Sequence, residues 1–597
     1  MSAPGPAATF RFRDYELDVG AYELRRRGRA VRLERRPMDL LILLVGRRRQ
    51  LVSRGDIIDR LWGKDVFVDV ETGVNTVVFK LRQALRDSPD TPAFIETVPG
   101  RGYRFIADVE AVEAAPAPDA QRPDIVLAVL PFENLTGQAE RDYLADGLAE
   151  ETIASLGQVD ARRLAVIGRT STMAYKRTTK SLAEIGRELG VDYLVESSIR
   201  SEGERLRVTC KLIRARDQVQ VWSESYDRAA TSILGLEREL STAIAAQIRL
   251  RLSPERLEAL ARRQTDHAEA YDLYLRGRYL WYQLTPPTTR RAIEYYERAT
   301  ERDPGYALAW SGLADALATS PINGDARPRD VWPRAREAAQ RAVAAAPDLA
   351  EAQASLGLVS FFLEWDWPAA ERAWRRATLL DSGSAQAHRF LATVLSHTGR
   401  HEEAEQEMQR ALALDPLYAM LRAMASQNAF QARDNRAALE HARRAIALDA
   451  EFWIGHVQRG QAHAQLGETD LALEAFTAAA RLSGGNSKAL ALRGHALATA
   501  GRTSEAREVL EALESISETR YVPPYAFALV HAGLGAEGEA LAWLERGYDA
   551  RDVHLIFLTV DPKWDSYRTD PRFEALLTRC DFMRTTAGTS RTARPSS

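Results

Sequence analysis

One stretch decides the fold of the N-terminal region, and it runs from Val74 to Phe105: VNTVVFKLRQALRDSPDTPAFIETVPGRGYRF. Its first part predicts a helix over about 72–86, because apolar residues recur at helical spacing as Val74, Val78, Leu81 and Leu85. Its second part predicts a hairpin, with strands at 94–98 and 103–106 on either side of the turn sequence PGRG. We therefore expect a helix with one buried face, followed directly by a two-stranded hairpin.

The residues before this stretch predict short strands at 10–33, a helix at 34–46 and a second helix at 55–62. Ser53 is a good N-cap for that second helix. The order of strands, three helices and a closing hairpin resembles the winged-helix DNA-binding domain of the OmpR/PhoB type, over residues 8–107. Pro99 directly precedes the hairpin glycine, and proline at this position resembles the pattern of the ToxR/CadC branch of that family.

Charge is distributed unevenly along the chain of 597 residues. Residues 1–107 hold 20 Lys and Arg against 14 Asp and Glu, a net charge of +6, whereas the whole chain has a net charge of −3. The remainder therefore carries a net charge of −9. A basic N-terminal region on an acidic body favours a polyanion as the partner of that region.

The resemblance implies that the third helix lies in the major groove of DNA and that the hairpin, or wing, reaches the minor groove. The candidate DNA contacts on the helix lie opposite its apolar stripe and are Asn75, Thr76, Lys80, Arg82, Gln83 and Arg86. The candidates on the wing are Thr97, Arg101 and Tyr103. Phe79 is expected to be partly packed rather than stacked on DNA. For Tyr103, a place in the core and a phosphate contact remain equal alternatives.

A segment rich in Ala and Pro, residues 108–123, is expected to link the winged helix to a second domain. Beyond it, apolar and alternating runs predict strands interleaved with helices over residues 124–253. This region resembles the TolB-like (FlgO-like) module, for example in the sequence AVIGRTSTMAYK at 165–176. The resemblance implies a small α/β fold, and it carries over no ligand and no catalytic residue.

Small residues repeat every 34 positions in the rest of the chain. Ala404, Ala438 and Ala472 mark the same position in successive units. This period resembles the tetratricopeptide repeat, a helix–turn–helix unit that stacks into an all-α solenoid. We expect about eight units over residues 266–551, followed at 552–597 by a C-terminal cap and a disordered tail.

A tetratricopeptide solenoid presents a concave groove to a protein or peptide partner. The residues predicted to contact such a partner fall near corresponding points of successive repeats and are Arg389, Arg422, Gln458 and Arg493. Arginines at these points suit an acidic peptide or a chain terminus. Surface ion pairs with neighbouring glutamates are the alternative interpretation.

No enzyme is predicted, because the motifs GxxxxGK[ST], HExxH and GxSxG are missing from the sequence. Scattered histidines and two cysteines indicate no metal site, and no cofactor is expected. The sequence has no signal peptide and no apolar run long enough for a membrane helix, so a cytoplasmic protein without membrane contact is expected. No receiver domain precedes the winged helix, which favours signal transduction without a phosphorelay.

These features predict a multidomain α+β protein: a winged helix-turn-helix, then a small α/β domain, then an all-α tetratricopeptide solenoid. The first hypothesis for its function is a one-component bacterial transcriptional regulator. It would bind double-stranded promoter DNA with sequence specificity, with a homodimer on DNA as one arrangement, and sense a signal through its other domains. The alternative is a scaffold or adaptor whose repeats bind protein and whose winged helix is not its main activity. The charge of +6 in the N-terminal region favours the first hypothesis.

Overall fold

The computed structural model describes residues 9–112 and 123–582, with gaps at 19–22, 27–28, 32, 34, 63–69, 158–162, 203–204, 230–234, 249–264, 284 and 323–325. The chain divides into two compact units, residues 1–122 and residues 123–597, which we call the N-terminal unit and the C-terminal unit. The predicted fold class is confirmed, because a winged-helix region, a sheet domain and an all-helical repeat array follow one another along the chain.

The described residues of the N-terminal unit form two antiparallel sheets and three helices. Its elements are β1 (Thr9–Phe12), β2 (Tyr15–Asp18), β3 (Glu23–Arg26), β4 (Arg29–Val31), α1 (Arg35–Gly46), β5 (Leu51–Ser53), α2 (Arg54–Trp62), α3 (Val70–Leu85), β6 (Ile95–Val98), β7 (Gly102–Phe105) and β8 (Glu110–Val112). The first sheet has the strand order β4-β3-β2-β1-β8, and the second has the order β5-β7-β6. The wing is the hairpin β6–β7, and it follows α3 directly along the chain.

Strand β8 lies inside the segment that the sequence predicts to be a linker. It pairs antiparallel with β1, and Val112 lies opposite Thr9. The linker prediction is therefore wrong for residues 110–112, because this edge strand completes its backbone hydrogen bonds against β1, a long-range partner that composition does not reveal. Residues 113–122 of the predicted linker lie outside the described residues.

One hydrophobic core holds the N-terminal unit together. The predicted apolar stripe of α3 is buried in it, since Val74, Val78, Leu81 and Leu85 are at most 2% exposed. The rings of Phe12 and Phe105 belong to the same core, with their centroids 5.1 Å apart. Burial of each aliphatic side chain of this kind contributes about 2 kcal/mol. The stripe therefore fixes which face of α3 points away from the core.

The C-terminal unit begins with a mixed six-stranded sheet and its helices, which we call the sheet domain. Its main elements are β9 (Ile125–Val129), β10 (Glu133–Asn134), α4 (Asp142–Gly157), β11 (Leu164–Val166), α5 (Arg169–Met173), α6 (Leu182–Leu189), β12 (Tyr193–Glu202), β13 (Arg205–Arg214), β14 (Val219–Ala229) and α7 (Leu236–Gln247). Strands β11, β9 and β12 are parallel, and β13 and β14 extend the sheet in antiparallel fashion.

In the described residues from Thr265 onward, sixteen further helices, α8 to α23, follow as the solenoid, in pairs of consecutive helices. They are α8 (Ala268–Trp281), α9 (Pro286–Arg302), α10 (Ala307–Thr319), α11 (Pro328–Ala345), α12 (Ala350–Val359), α13 (Trp367–Leu380), α14 (Ala385–His397), α15 (His401–Leu414), α16 (Ala419–Gln431), α17 (Asn435–Leu448), α18 (Trp453–Gln465), α19 (Thr469–Leu482), α20 (Ser487–Thr499), α21 (Thr503–Ser517), α22 (Pro524–Gly533) and α23 (Glu537–Ala550). A short π-helical turn, Ser360–Glu364, separates α12 from α13.

Small residues let the paired helices approach one another closely. Ala404, Ala438 and Ala472, which define the 34-residue period, are at most 1% exposed. At Gly357, an added Cβ would lie 2.4 Å from Nε1 of Trp374. The close contact between α12 and α13 therefore requires a residue without a side chain at this position.

The solenoid is followed by two 3₁₀ turns, Val553–Thr559 and Pro562–Tyr567, and by helix α24 (Pro571–Arg579). We call residues 551–567 the closing segment. Trp564 and Phe573 are fully buried, with ring centroids 6.1 Å apart, so this part of the chain is packed into the C-terminal unit. The predicted disordered tail lies outside the described residues from residue 583 onward.

Candidate nucleic-acid interface

The exposed face of α3 carries most of the side chains predicted to contact DNA. Asn75, Thr76, Lys80 and Gln83 are exposed on this helix, and Arg86 is exposed directly after it. Arg86 has a φ of 53°, in the left-handed region, where the helical conformation ends. The face presents amide, hydroxyl and cationic groups, and these are the groups that contact base edges and phosphates in DNA complexes.

Arg82 differs from the other candidates because it is bound to the wing. One Nη nitrogen donates hydrogen bonds to the carbonyl oxygen of Ile95 at 2.7 Å and to Oγ1 of Thr97 at 2.9 Å. The two predicted contacts Arg82 and Thr97 are thus brought together, but they hold β6 against α3. The sequence does not reveal this role, since nothing in the local pattern shows that the helix and the strand meet at these residues.

Tyr103 belongs to the core and not to the surface. Its side chain is 3% exposed, and its hydroxyl donates a hydrogen bond to Oδ1 of Asn75 at 3.0 Å. Arg54 also donates to Oδ1 of Asn75, at 3.4 Å, and its guanidinium lies 5.7 Å from the Tyr103 ring centroid. Of the two alternatives for Tyr103, the structure therefore supports the core position, with the hydroxyl orienting the Asn75 amide.

Asp87 anchors the connection between α3 and the wing, a role that its position in the sequence does not reveal. Its carboxylate is 9% exposed and accepts hydrogen bonds from the backbone N–H groups of Ala93 at 2.6 Å, Phe94 at 3.2 Å and Ile95 at 2.8 Å. One side chain thus satisfies three donors where β6 begins. An Asp two residues after a helix and eight residues before a strand is too common a pattern to predict this contact.

The tip of the wing places Arg101 between two glycines. Gly100 has a φ of 69°, and a Cβ added to Gly102 would lie 2.1 Å from the carbonyl oxygen of Val52. The backbone N–H of Arg101 donates to the carbonyl oxygen of Val98 at 3.0 Å, which closes the turn. Arg101 is exposed at the end of this well-defined hairpin, so its guanidinium is available to an external anion.

A cavity of about 350 Å³ opens beside α3. It is lined by Asn75, Val78, Phe79, Arg82, Gln83, Arg86, Asp87, Pro89 and Tyr103. Phe79 is 60% exposed, so part of its side chain is packed against the protein and the larger part faces solvent. The physical reason is that the neighbouring Val77 and Val78 occupy the core side of the helix, at 6% and 2% exposure.

Comparison with known proteins identifies the domains along the chain. Residues 28–105 match the family described as "Transcriptional regulatory protein, C terminal". This part of the N-terminal unit is therefore similar to the C-terminal domain of transcriptional regulatory proteins. Residues 123–243 match the second domain of HilA/YgeH-like transcriptional regulators, and tetratricopeptide repeats are matched at 289–328, 366–419, 424–487 and 457–519. The predicted resemblance is confirmed, with the middle region matched under the HilA/YgeH-like description.

Three relatives illustrate how the similarity is distributed. The transcriptional regulator HilA of Salmonella typhimurium is 25% identical over 408 residues, which are 68% of this chain and 70% of that protein. The cholera toxin transcriptional activator of Vibrio cholerae is 34% identical over 91 residues, 15% of this chain and 31% of that protein. A Rhizobium meliloti protein provisionally named adenylate cyclase 3 is 35% identical over 213 residues, 36% of each chain. The chain thus spans about a third of the length of the last two relatives.

The four residues predicted to contact a partner occupy different environments in the solenoid of this winged-helix protein. Arg389, Arg422 and Arg493 are half-buried. Burial lowers the pKa of Arg389, whose Nε has no hydrogen-bond partner among the described residues. Gln458 is 1% exposed and hydrogen-bonds to Gln427 and Gln461, at 2.9 and 3.1 Å. The prediction that Gln458 contacts a partner is therefore not supported, because other solenoid side chains enclose it.

The closing segment packs against the solenoid near Gln458. Lys563 donates to Oε1 of Gln461 at 3.1 Å, and Asp565 pairs with Arg433 at 3.0 Å. The Phe557 ring lies 5.7 Å from the His397 ring, centroid to centroid. Lys488 on α20 places its Nζ 5.1 Å from the same Phe557 ring centroid. The closing segment thus contacts the first helices of several pairs, which are α14, α18 and α20. Part of the surface predicted to bind a partner is occupied internally.

The sheet domain also contacts the solenoid. Tyr143 hydrogen-bonds to Asp272, and Glu150 forms an ion pair with Arg278. Farther along, the backbone N–H of Ser171 donates to Oδ1 of Asp415 at 2.7 Å. Helix α8 and the residue that directly follows α15 are therefore joined to the sheet domain by polar contacts, which helps to explain why the two form one compact unit.

Asp315, on α10, is expected to make the stability of the C-terminal unit depend on pH. Burial raises the pKa of its carboxyl group to about 7 from an ordinary value of 3.8, although the Ser355 hydroxyl and Arg278 favour the charged form. Between about pH 4 and about pH 7 the folded protein therefore holds a proton that the unfolded chain releases, and the free energy of unfolding falls as pH rises. The change is up to about 1.4 kcal/mol for each pH unit in this window.

We expect Asp315→Asn to reduce this dependence, because the amide cannot ionise. Asp381, whose pKa burial raises to about 6, should retain part of the slope. The measurement is urea unfolding of the full chain at about pH 5 and about pH 7 for the two proteins. The prediction would be contradicted if the free energy of unfolding changed equally with pH in the wild type and in Asp315→Asn.

Within the described ranges, no group of three or more His, Cys, Asp or Glu side chains is placed to hold a metal ion. In that same part of the chain, no helix combines the length and the hydrophobicity that crossing a membrane requires. Burial raises the pKa of the Cys210 thiol to about 11 and that of Cys580 to about 12, so both are held as thiols at neutral pH.

Proposed function

We propose that the N-terminal unit binds double-stranded promoter DNA with sequence specificity, and that the chain acts as a one-component transcriptional regulator. The observation that carries this proposal is the division of α3 into two faces. Its apolar stripe is buried in the core. Its other face presents polar and cationic side chains to solvent, which are Asn75, Thr76, Lys80 and Gln83. The match of residues 28–105 to a regulator family supports the same function.

In this proposal α3 enters the major groove and the wing approaches the adjacent minor groove. A helix fits the major groove, where Asn and Gln side chains pair with adenine and cationic side chains pair with guanine or phosphate. Asn75 and Gln83 are the candidates for adenine, and Lys80 and Arg86 are the candidates for guanine or phosphate. Arg101 at the wing tip suits the enhanced negative potential of a narrow minor groove.

The C-terminal unit has the role of sensing in this proposal. Arg389, Arg422 and Arg493 remain the candidate contacts for an acidic peptide or protein partner, and Gln458 is left out because it is enclosed. A promoter-binding protein acts in the cytoplasm of a bacterium, and two copies side by side on DNA would double the contacts. No enzymatic step belongs to the proposal, since the similarity to an adenylate cyclase covers 36% of either chain.

Lys80 and Arg82 are expected to respond differently to substitution, and this difference tests the proposal. Lys80→Ala should weaken DNA binding by about 1–3 kcal/mol if Lys80 contacts a base, or reduce the salt slope by about one if it contacts a phosphate. Its free energy of unfolding should change by about 0.5 kcal/mol or less, because the side chain lies on the exposed face of α3. Arg82→Ala should also destabilise the N-terminal unit by about 1–3 kcal/mol, since two hydrogen bonds to the wing are lost.

The measurements are fluorescence anisotropy with labelled DNA and urea unfolding of each variant. Arg372→Ala, which removes an exposed cation of the solenoid, is the matched control and should bind DNA as the wild type does. Wild-type affinity and an unchanged salt slope for Lys80→Ala would show that this face of α3 does not contact DNA.

The alternative function is a scaffold whose repeats bind protein and whose winged helix is not its main activity. Chromatin immunoprecipitation and sequencing in the native bacterium distinguishes this alternative from the regulator proposal. The regulator proposal expects sites upstream of genes that share one sequence motif and that are lost in Lys80→Ala. The scaffold alternative expects no common motif and no effect of this substitution.

A further inference from the structure

Phe79 is an exposed aromatic side chain on a face that is otherwise polar. It is 60% exposed, and it is the one aromatic residue among the large exposed hydrophobic side chains of the described residues. The ring does not contribute to the hydrophobic core, because Val77 and Val78 occupy the adjacent buried positions. A large ring left in water at a surface proposed to contact DNA points to burial of that ring in the complex.

The neighbours of Phe79 indicate which part of the DNA the ring would meet. Asn75 precedes it by four residues and Gln83 follows it by four, so the three side chains form one column along α3. Asn and Gln side chains recognise N6 and N7 of adenine in the major groove. The thymine paired with each adenine carries a C5 methyl group in the same groove. A ring between two such amides lies where thymine methyl groups project.

We propose that Phe79 is a specificity-determining residue that contacts the C5 methyl group of thymine in the major groove. The inference rests on the proposed function, because it requires α3 to lie in that groove. A phenyl ring neither neutralises a phosphate nor makes a conventional hydrogen bond, so its contribution is an apolar contact. Burying one methyl group corresponds to about a fourfold change in affinity, from ~0.8 kcal/mol per group.

The test removes the methyl group from the DNA and the ring from the protein. The full chain is first used to select its binding sequence from a pool of random duplexes. Each thymine of that sequence is then replaced by uracil, which differs only in lacking the methyl group, and affinities are measured by fluorescence anisotropy. We expect the wild type to lose about fourfold at one or two positions.

Phe79→Ala is expected to bind the thymine and uracil duplexes equally at those positions, with the salt slope and the free energy of unfolding unchanged. Phe79→Leu, which keeps an apolar side chain, should retain part of the preference for thymine. Leu379→Ala, which removes a 78% exposed side chain of the solenoid, is the matched control and should keep the full preference.

Two results would overturn the inference while the proposed function stands. In the first, the wild type binds DNA with salt dependence and sequence selectivity but tolerates uracil at every position. In the second, Phe79→Ala keeps the wild-type preference for thymine. Failure of the proposed function is distinguishable, because the wild type would then select no sequence at all. That result would overturn the inference together with the function on which it rests.

Discussion

Raising the salt concentration from about 50 to about 200 mM is expected to weaken DNA binding by residues 1–122 about 10³-fold, if about six phosphates are contacted. Each phosphate neutralised by a Lys or Arg side chain releases condensed counterions, so log affinity falls linearly with log salt. The net charge of +6 in residues 1–107 supplies the cations. The exposed Arg86 and Arg101 lie at the end of α3 and at the wing tip, where backbone phosphates are within reach of both elements.

The measurement is a titration of this fragment into labelled duplex DNA at several salt concentrations. Residues 123–597 are the matched control, and they are expected not to bind because the rest of the chain beyond residue 107 carries a net charge of −9. An affinity that does not change with salt, or no binding at low salt, would remove the DNA-binding hypothesis.

Replacement of Asp87 by Ala is expected to lower the free energy of unfolding of the N-terminal unit by about 3 kcal/mol or more. The carboxylate accepts hydrogen bonds from three backbone N–H groups, and it is 9% exposed. Without it, the donors of Ala93, Phe94 and Ile95 remain without a partner, and each unsatisfied buried donor costs about 1–3 kcal/mol. A domain whose total stability is about 5–15 kcal/mol would lose a large fraction of it.

Urea unfolding of residues 1–122, followed by circular dichroism, measures this effect. Asp87→Asn should fall between the wild type and Asp87→Ala, because one carbonyl oxygen is retained. Asp90→Ala changes an exposed carboxylate in the same connection and should behave as the wild type does. If Asp87→Ala unfolds at the wild-type urea concentration, the connection between α3 and the wing is held by other contacts.

Asp87 and Arg82 together explain why the position of the wing could not be predicted. The helix α3 and the hairpin β6–β7 are each visible in the sequence, but their relative placement depends on hydrogen bonds from Arg82 to Ile95 and Thr97, and from the backbone of residues 93–95 to Asp87. Polar contacts of this kind have no periodic pattern. The sequence therefore places Arg82 among the DNA contacts, whereas the structure shows that it supports the wing.

Periodic spacing allowed the sequence to determine the secondary structure and the buried faces. The stripe Val74, Val78, Leu81 and Leu85 predicts α3 and its core side, and the 34-residue period of Ala404, Ala438 and Ala472 predicts the paired helices, because a residue's burial in a helix follows from its spacing. The tripartite fold class followed from these local signals.

Only the tertiary structure decided which of the predicted surfaces remain open. Gln458 lies at the expected point of its repeat, yet Gln427 and Gln461 enclose it, and the closing segment binds Gln461 through Lys563, 102 residues away in sequence. Tyr103 and Phe79 show the same limit on a smaller scale: both are aromatic and both lie near Asn75, but one is 3% exposed and the other 60%. The reason is physical, since the period of a helix or strand fixes which way a side chain faces, whereas its exposure depends on what distant residues pack against that face.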